Sequence, residues 1–327
     1  FFSERSLEEY HAHQIDVTKP DPLKSFKGKY TKVNIKKDDI ATICFTSGST
    51  GKTKGAIITH ENLSFVVKNA PKMFKPASKI LSYLPLSHMF ERTCGFYTPL
   101  YLDMNISICS NIRELREHMM MFRPDAILAV PLVLDKFNQQ LLASRTYRAL
   151  KRCHLTAVIK PIIRKRFGGN LKTIICGGAA LDSHLAKIFT ALGMEVFQGY
   201  GLTELSPLIS TNTQQHNREE SVGRPIPGVD VKIGPRKTLL VNSPGLFQGY
   251  FEEDNKKNKR PKDGWFDTGD IAEIKDGFIY IKGRYDDCVS LQNGKKIYLS
   301  QIEASLEAKG IYQACMHAHG NSLTALI

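Results

Sequence analysis

With 327 residues, 42% of them hydrophobic and 24% charged, the chain has the make-up of a globular protein and exceeds one average domain of roughly 100–200 residues. No apolar run approaches the roughly 18 residues of a membrane span, so no bilayer-crossing segment is predicted. The net charge of +13 raises nucleic acid or anionic lipid as partners, but no zinc spacing or base-stacking motif accompanies the basic clusters, which argues for no nucleic acid and leaves weak peripheral attraction to anionic membranes or polyphosphates open.

Residues 1–40 are mixed and polar, and Lys19-Pro20-Asp21-Pro22 marks an extended link toward Ile40. The start, Phe1-Phe2-Ser3-Glu4-Arg5, has no charged leader ahead of an apolar stretch and no initiator Met, so no signal peptide is expected and residues are expected to precede Phe1. The seven cysteines are scattered, odd in number and never spaced Cys-x-x-Cys, the pattern of free thiols in a reducing, cytoplasmic compartment.

The apolar run Ala41 to Phe45 reads as a buried strand passing into Thr46-Ser47-Gly48-Ser49-Thr50-Gly51-Lys52-Thr53-Lys54-Gly55. Glycines at 48, 51 and 55 let backbone N–H groups approach an anion, the hydroxyls add donors, and Lys52 and Lys54 add charge, so the stretch reads as a phosphate loop. It is not the P-loop of the nucleotide triphosphatases, which needs a glycine where Thr46 stands, nor a Gly-x-Gly-x-x-Gly dinucleotide turn. Ala56 to Thr59 follows as a second strand, with Thr59 placed to cap a helix starting near Glu61.

Leu81 to Leu84 predicts a strand closed by Pro85, then a loop carrying His88, which is either a packed residue or part of a pocket wall. Gly95 to Leu102 is apolar throughout and reads as a buried helix or the wall of a hydrophobic cleft. Residues 111–123 read as a basic helix ending before Pro124, and Ala126 to Pro131 as a fully apolar strand of the parallel type. This alternation of strands and helices is that of a doubly wound α/β sheet. Residues 138–166 are expected to be helical and basic. Phe167 to Ala180 then gives a turn, a strand and the small-residue loop Gly177-Gly178-Ala179-Ala180, which admits a flat ligand or serves only as a packing turn.

Met194 to Glu204 predicts a strand ending in Gln198-Gly199-Tyr200-Gly201, where backbone can approach a ligand, followed by the hydroxyl of Thr203 and the carboxylate of Glu204. One carboxylate beside phosphates is what Mg²⁺ requires. Residues 221–250 read as hairpins of a small β-rich unit, scaffold more than chemistry. In Trp265-Phe266-Asp267-Thr268-Gly269-Asp270, a turn at Gly269 is expected to present Asp270 to two vicinal hydroxyls. Phe278 to Asp287 ends a strand on a charged turn, and Leu299 to Ala308 reads as a short amphipathic helix before a final strand.

Three of these stretches, Thr46 to Gly55, Tyr200-Gly201-Leu202-Thr203-Glu204 and Trp265 to Asp270, resemble in sequence and order the signatures of the AMP-forming acyl-CoA synthetases and related adenylate-forming enzymes. The resemblance covers nearly all of residues 40 to 315. It implies ATP binding by Thr46, Ser47, Gly48, Ser49, Thr50, Gly51, Lys52, Lys54, Gly178, Ala179, Ala180, Gln198, Gly199, Tyr200, Gly201, Thr203, Asp270 and Arg284. Within that set Tyr200 and the loop from Gly177 fall near adenine, Thr203 at the α-phosphate, Asp270 on the ribose and Arg284 on ribose or phosphate. Mg²⁺ falls to Thr46 and Glu204, catalysis to Thr46, Thr203 and Glu204, an acyl pocket to His88 and Gly95, and a domain hinge to Asp286. The chain departs from the family pattern at Leu132, Ser290 and Leu299, and no residue stands for the C-terminal lysine that in the family contacts the carboxylate and α-phosphate.

The implied organisation is an α/β nucleotide- and acyl-binding part of a large domain over 1–220, a β-rich subdomain over 221–283, and a hinge with the start of a small α+β C-terminal domain over 284–327. The implied activity is ATP-dependent activation of a fatty acid, with the long-chain branch most similar, through acyl-AMP to acyl-CoA, with coenzyme A as a substrate. No acidic residue stands out that would meet the ammonium of an amino-acid substrate. The alternatives are an aryl- or medium-chain ligase of the same family and a catalytically inactive nucleotide-binding relative.

Overall fold

The computed structural model describes residues 33–47, 53–73, 77–144, 147–148, 156–251, 260–290, 296–299, 302, 315–319 and 322–326. The chain divides into two compact units, Phe1–Lys36 and Lys37–Ile327, and the second carries every element below.

β1 (Ile40–Ser47) and β2 (Thr53–Thr59) form an antiparallel hairpin, and β12 (Gly249–Phe251) pairs with the other edge of β2. The strand leading into the phosphate loop is therefore not the buried strand that its apolar run suggests. It is the edge of a three-stranded sheet, so one side faces water: Ile40 and Phe45 are exposed and Cys44 is buried. Thr59 caps α1 (His60–Asn69) reciprocally, its Oγ1 accepting from the Asn62 amide at 3.3 Å while Asn62 Oδ1 accepts from the Thr59 amide at 3.0 Å. The buried Asn62 side chain also donates to the carbonyls of Pro244 and Leu246 at 2.8 and 2.9 Å, which ties α1 to the segment leading into β12.

The large sheet has seven strands. β4 (Asn105–Ile108), β3 (Lys79–Ser82), β5 (Ala126–Ala129), β6 (Thr173–Cys176) and β7 (Glu195–Gly201) lie parallel in that spatial order, and β8 (Leu208–Thr211) and β9 (Arg224–Pro225) extend it antiparallel. On one face Leu81, Ile127, Ile174 and Val196 share a core with α3 (Leu115–Phe122), α4 (Pro131–Ala143), α5 (Thr156–Arg166) and α6 (Ser183–Ala191), through Met119, Leu134, Ile163 and Phe189. The alternate residues Ile80, Ala126 and Ile175 face a π-helix, Glu91–Tyr97, and α2 (Thr98–Tyr101), the period-two reading of a sheet covered on both sides.

Two expectations need correcting here. The stretch 95–102 is not a uniformly buried helix, since Leu100 and Tyr101 are exposed where α2 runs to its end. Pro131 does not end a strand but opens α4, where its fixed φ and missing N–H suit the first helical turn.

β10 (Asp230–Ile233), β11 (Thr238–Asn242), β13 (Phe266–Lys275) and β14 (Phe278–Arg284) form a separate antiparallel sheet. Its buried Leu239, Val241, Ala272 and Ile279 share a second core with Ile58, Val66, Met89, Leu205 and Ile209. Two further hairpins, β15 (Cys288–Ser290) with β16 (Lys296–Tyr298) and β17 (Cys315–His319) with β18 (Ser322–Leu326), complete the described strands. The helix expected over 299–308 lies almost wholly outside the described residues. Among the described residues no helix is long and apolar enough to cross a membrane, and Cys44, Cys94, Cys109, Cys176 and Cys288 are free thiols.

Candidate active site

β7 and the turn after it organise the site. At Gly201 an added Cβ would stand 1.7 Å from the Pro207 carbonyl oxygen, so only glycine lets the strand end pass this close to the returning chain. The turn Thr203–Leu205 follows, and the Phe247 amide donates to the Glu204 carbonyl at 2.8 Å. The Tyr250 hydroxyl donates to Glu204 Oε1 at 2.6 Å, and Lys54 Nζ lies 5.4 Å from the centre of the Tyr250 ring. Because β12 pairs with β2, with Tyr250 opposite Ala56, the strand that carries Lys54 also fixes the residue that holds Glu204. Burial and the adjacent carboxylate push the Tyr250 hydroxyl well above its usual range, so it stays a donor.

Tyr250 lies in the stretch that the sequence reading treated as scaffold. The corrected role follows from β12 leaving its neighbours to pair with a strand almost two hundred positions earlier, and no local pattern signals that. Thr46 ends near this point, its hydroxyl donating to the Lys54 carbonyl at 3.4 Å, and Ser47 pairs with Thr53. Gly48, Ser49, Thr50, Gly51 and Lys52 lie outside the described residues.

Asp270 forms the second half of the site. Leu240 faces Asp267 while Thr238 faces Ile271, so two steps along β11 are met by four along β13. The sequence reading expected a turn at Gly269, but the residue with φ +74° forms a bulge inside a strand. The bulge is pinned where Thr268 Oγ1 donates to the Leu239 carbonyl at 3.0 Å and the Gly269 amide donates to Asp267 Oδ1 at 3.0 Å. Asp270 is thereby turned inward, 5% exposed, directly across from Arg284 on β14. Its Oδ2 accepts from the Tyr200 hydroxyl at 2.5 Å and its Oδ1 from Arg284 Nη1 at 3.3 Å. Burial raises the Asp270 carboxyl above its ordinary range, and Tyr200 and Arg284 oppose that rise. A carboxylate has about four lone-pair sites, so these two donors leave room for two more.

Tyr200 also lines a cleft of about 480 Å³, together with Leu84, Pro85, His88, Met89, Phe90, Glu91, Val130, Gly177, Gly178, Gly199, Gly201, Leu202, Thr203, Pro207 and Leu208. His88 stands on this wall, exposed. Gly95 does not line it but packs behind Glu91, where an added Cβ would come within 2.7–2.9 Å of the Glu91 carboxyl. Ala179 and Ala180 continue the loop beyond the cleft, exposed. Gln198 does sheet work, its carbonyl accepting from the Asn212 amide at 2.8 Å. Asp286 is exposed in the turn after β14, beside a Tyr285 amide that donates to the Gly269 carbonyl at 2.8 Å.

Residues 3–251 match the family model described as AMP-binding enzyme. The chain belongs to this family of adenylate-forming enzymes. It is 26% identical over 308 residues to the long-chain-fatty-acid–CoA ligase FadD15 of Mycobacterium bovis, covering 84% of the chain and 51% of that protein. It is 29% identical over 332 residues to mouse long-chain-fatty-acid–CoA ligase 6, covering 89% and 47%. The chain thus spans about half the length of the curated relatives it matches. In fold it is similar to O-succinylbenzoate coenzyme A synthetase of Bacillus subtilis in complex with ATP and magnesium, with TM-score 0.74 at 21% identity over 91% of this chain and 62% of that one. ATP-bound MatB of Rhodopseudomonas palustris gives TM-score 0.72 at 24% identity over 91% and 59%.

The acidic groups near the cleft decide which ions fit. Among the described residues no three His, Cys, Asp or Glu side chains cluster as a cation cage. Glu204 alone, fixed through Oε1, suits a hard cation that takes its other ligands from phosphate and water, as Mg²⁺ does. Glu91 is the acid on the cleft wall that the sequence reading did not see. It is 1% exposed, and its carboxyl faces Ser82 and the Tyr83 and Leu84 amides without a hydrogen bond of good geometry to them. Burial pushes it up to about 7. Its stabilising contribution is therefore fully present below the ordinary Glu range and lost as pH rises through about 7.

Proposed function

We propose that the protein of which this chain is part activates a carboxylic acid with ATP, and that the acid is a long-chain fatty acid. A carboxylate oxygen attacks the α-phosphorus, the bond to pyrophosphate breaks, and the acyl-AMP formed is then cleaved at its carbonyl by the thiol of coenzyme A, with AMP leaving. Asp270 and Arg284 hold the ribose, Tyr200 and the Gly177-Gly178 loop flank adenine, and Thr203 donates to the α-phosphate, so that the phosphorus sits in line with the acid. Lys54, with Lys52 and the loop amides, offsets phosphate charge, and Glu204 with Thr46 places Mg²⁺, which when bound neutralises developing charge on the phosphate oxygens. No covalent enzyme nucleophile is needed.

The observation that carries this reading is that five consecutive residues, Tyr200 to Glu204, join an Asp270–Arg284 pair on one side to a Tyr250-held carboxylate and Lys54 on the other. An apolar acid is supported by the aliphatic and aromatic cleft wall and by an adjoining chamber of about 140 Å³ that shares Phe90 and Leu208 with it. Asp286 is proposed as the pivot between the two half-reactions, because it follows the Arg284 strand in an exposed turn. The test is ATP–pyrophosphate exchange by the complete protein with acetate, benzoate, octanoate and palmitate. Exchange driven by palmitate well above the rest is expected. Preference for benzoate would replace the fatty-acid assignment, and exchange with none of them would favour an inactive nucleotide binder.

A further inference from the structure

A second cleft, of about 620 Å³, lies between α3, α4 and the end of α5 and shares no lining residue with the cleft at Tyr200. Its floor is apolar, from Met119, Val133, Phe137, Leu141 and Phe167, with Phe137 and Phe167 in edge contact at 5.2 Å between ring centres. Its wall carries four cations, Arg113, Arg116, Lys136 and Arg166, and no acid. Of the acids nearby, Glu114 is engaged with Asn111 and His118 and Asp135 with Gln139, while Glu117, exposed on α3, does not line the cleft. Arg166 donates to Ser144 at 3.2 Å, while Arg113, Arg116 and Lys136 make no ion pair among the described residues.

Like-charged side chains gathered over an apolar floor, with no acid among them, repel one another and hold their surroundings open to an anion. A free inorganic anion would leave the floor unused. The apolar surface also continues past the cleft, because helical spacing places exposed Leu132 beside Lys136 and exposed Met120 beside Arg116, and Ile112 at the rim is 56% exposed. A single small amphiphile would leave those side chains in water. Stable attachment to a bilayer needs two signals, apolar insertion and a basic patch, and both are present here side by side.

We propose that the α3–α4 cleft docks the protein on an anionic lipid bilayer, with lipid head groups among Arg113, Arg116, Lys136 and Arg166 and the rim residues Ile112, Met120 and Leu132 entering the acyl boundary. The surface is separate from the nucleotide site, and the inference does not depend on the adenylation chemistry.

The test is co-sedimentation with vesicles of phosphatidylcholine alone or mixed with phosphatidylglycerol, without ATP or acid substrate, so that its failure leaves the nucleotide reading standing. The variant is Arg116→Glu with Lys136→Glu, compared with Lys262→Glu with Lys275→Glu, which changes net charge equally at exposed sites away from the cleft. Wild type should bind the mixed vesicles and not the neutral ones. The cleft pair should bind at least about tenfold more weakly, and the control pair within about twofold of wild type. ATP binding, read by calorimetry, should be unchanged in both. Should the cleft pair fail to fold, Arg113→Gln, which removes one charge without reversing it, should still weaken binding by a few-fold. Equal loss in cleft and control pairs would assign binding to the overall charge and overturn the proposal. So would no binding of mixed vesicles by wild type, or binding of submicellar laurate with none of vesicles.

Discussion

Changing Glu204 to Gln in the complete enzyme is expected to lower palmitate-driven pyrophosphate exchange by about 10²–10³-fold while leaving thermal unfolding close to wild type. The substitution conserves volume and leaves an oxygen that can still accept from the Tyr250 hydroxyl, which now bonds Oε1 at 2.6 Å. What it removes is the anionic charge, and Mg²⁺ binds a neutral amide oxygen far less well than a carboxylate. Tyr250→Phe gives the complementary case, since the charge stays and only the group that orients it goes. Loss of an orienting hydrogen bond to a ligating side chain costs about 10–100-fold in metal affinity. For this variant the Mg²⁺ concentration supporting half-maximal ATP binding should therefore rise, with metal-free AMP binding unmoved. Near-normal exchange by Glu204→Gln would show that the metal role is misassigned.

The second large effect is expected at Asp270. Asp270→Asn should weaken AMP binding by about 10²-fold, on the scale of about 1.5–3 kcal/mol for a hydrogen bond to a charged group, counted for the ribose contact and for the Arg284 pair that orients it. The asparagine keeps the shape of the bulge but cannot offer two anionic acceptors. Asp270→Ala should also destabilise the fold, because it leaves the half-buried Tyr200 hydroxyl without its carboxylate acceptor. The pH dependence follows from burial, which raises this carboxyl above its ordinary range. As pH falls through that raised value the carboxylate takes up a proton and ceases to be a double acceptor, so wild-type AMP affinity should drop on the acid side earlier than an ordinary Asp would allow. The same shift means that the carboxylate form opposes folding at neutral pH, and that protonation relieves this as pH falls. Asp270→Asn should lack the acid-side drop. Equal AMP affinity in wild type and Asp270→Asn, measured by calorimetry, would remove the ribose assignment.

The parts of the candidate site that were legible in the sequence are those in which one short stretch carries both backbone constraint and the side chains proposed for the chemistry. Gly201 before Thr203 and Glu204 is such a case, because the glycine is required by a close backbone approach and the carboxylate follows it within one turn. Asp270 is another, although the bulge that aims it was read as a turn, since positive φ at a glycine signals a change of direction without saying whether strand pairing resumes. The alternation of apolar runs gave the parallel sheet, because strands covered on both faces are continuously apolar. What was not legible depends on pairing between distant strands. Tyr250 meets Glu204 only because β12 joins β2, and Tyr200 meets Asp270 only because the end of one sheet abuts another. Glu91 was hidden differently, as a charged letter in an apolar stretch that the π-helix turns inward.

The most direct measurement is a crystal structure of the complete enzyme with AMP. The account predicts both ribose hydroxyls on Asp270, adenine beside Tyr200 and the Gly177-Gly178 loop, and the phosphate directed toward Thr203 and Lys54. AMP bound in another cleft, with the Asp270 carboxylate still met only by Tyr200 and Arg284, would contradict it.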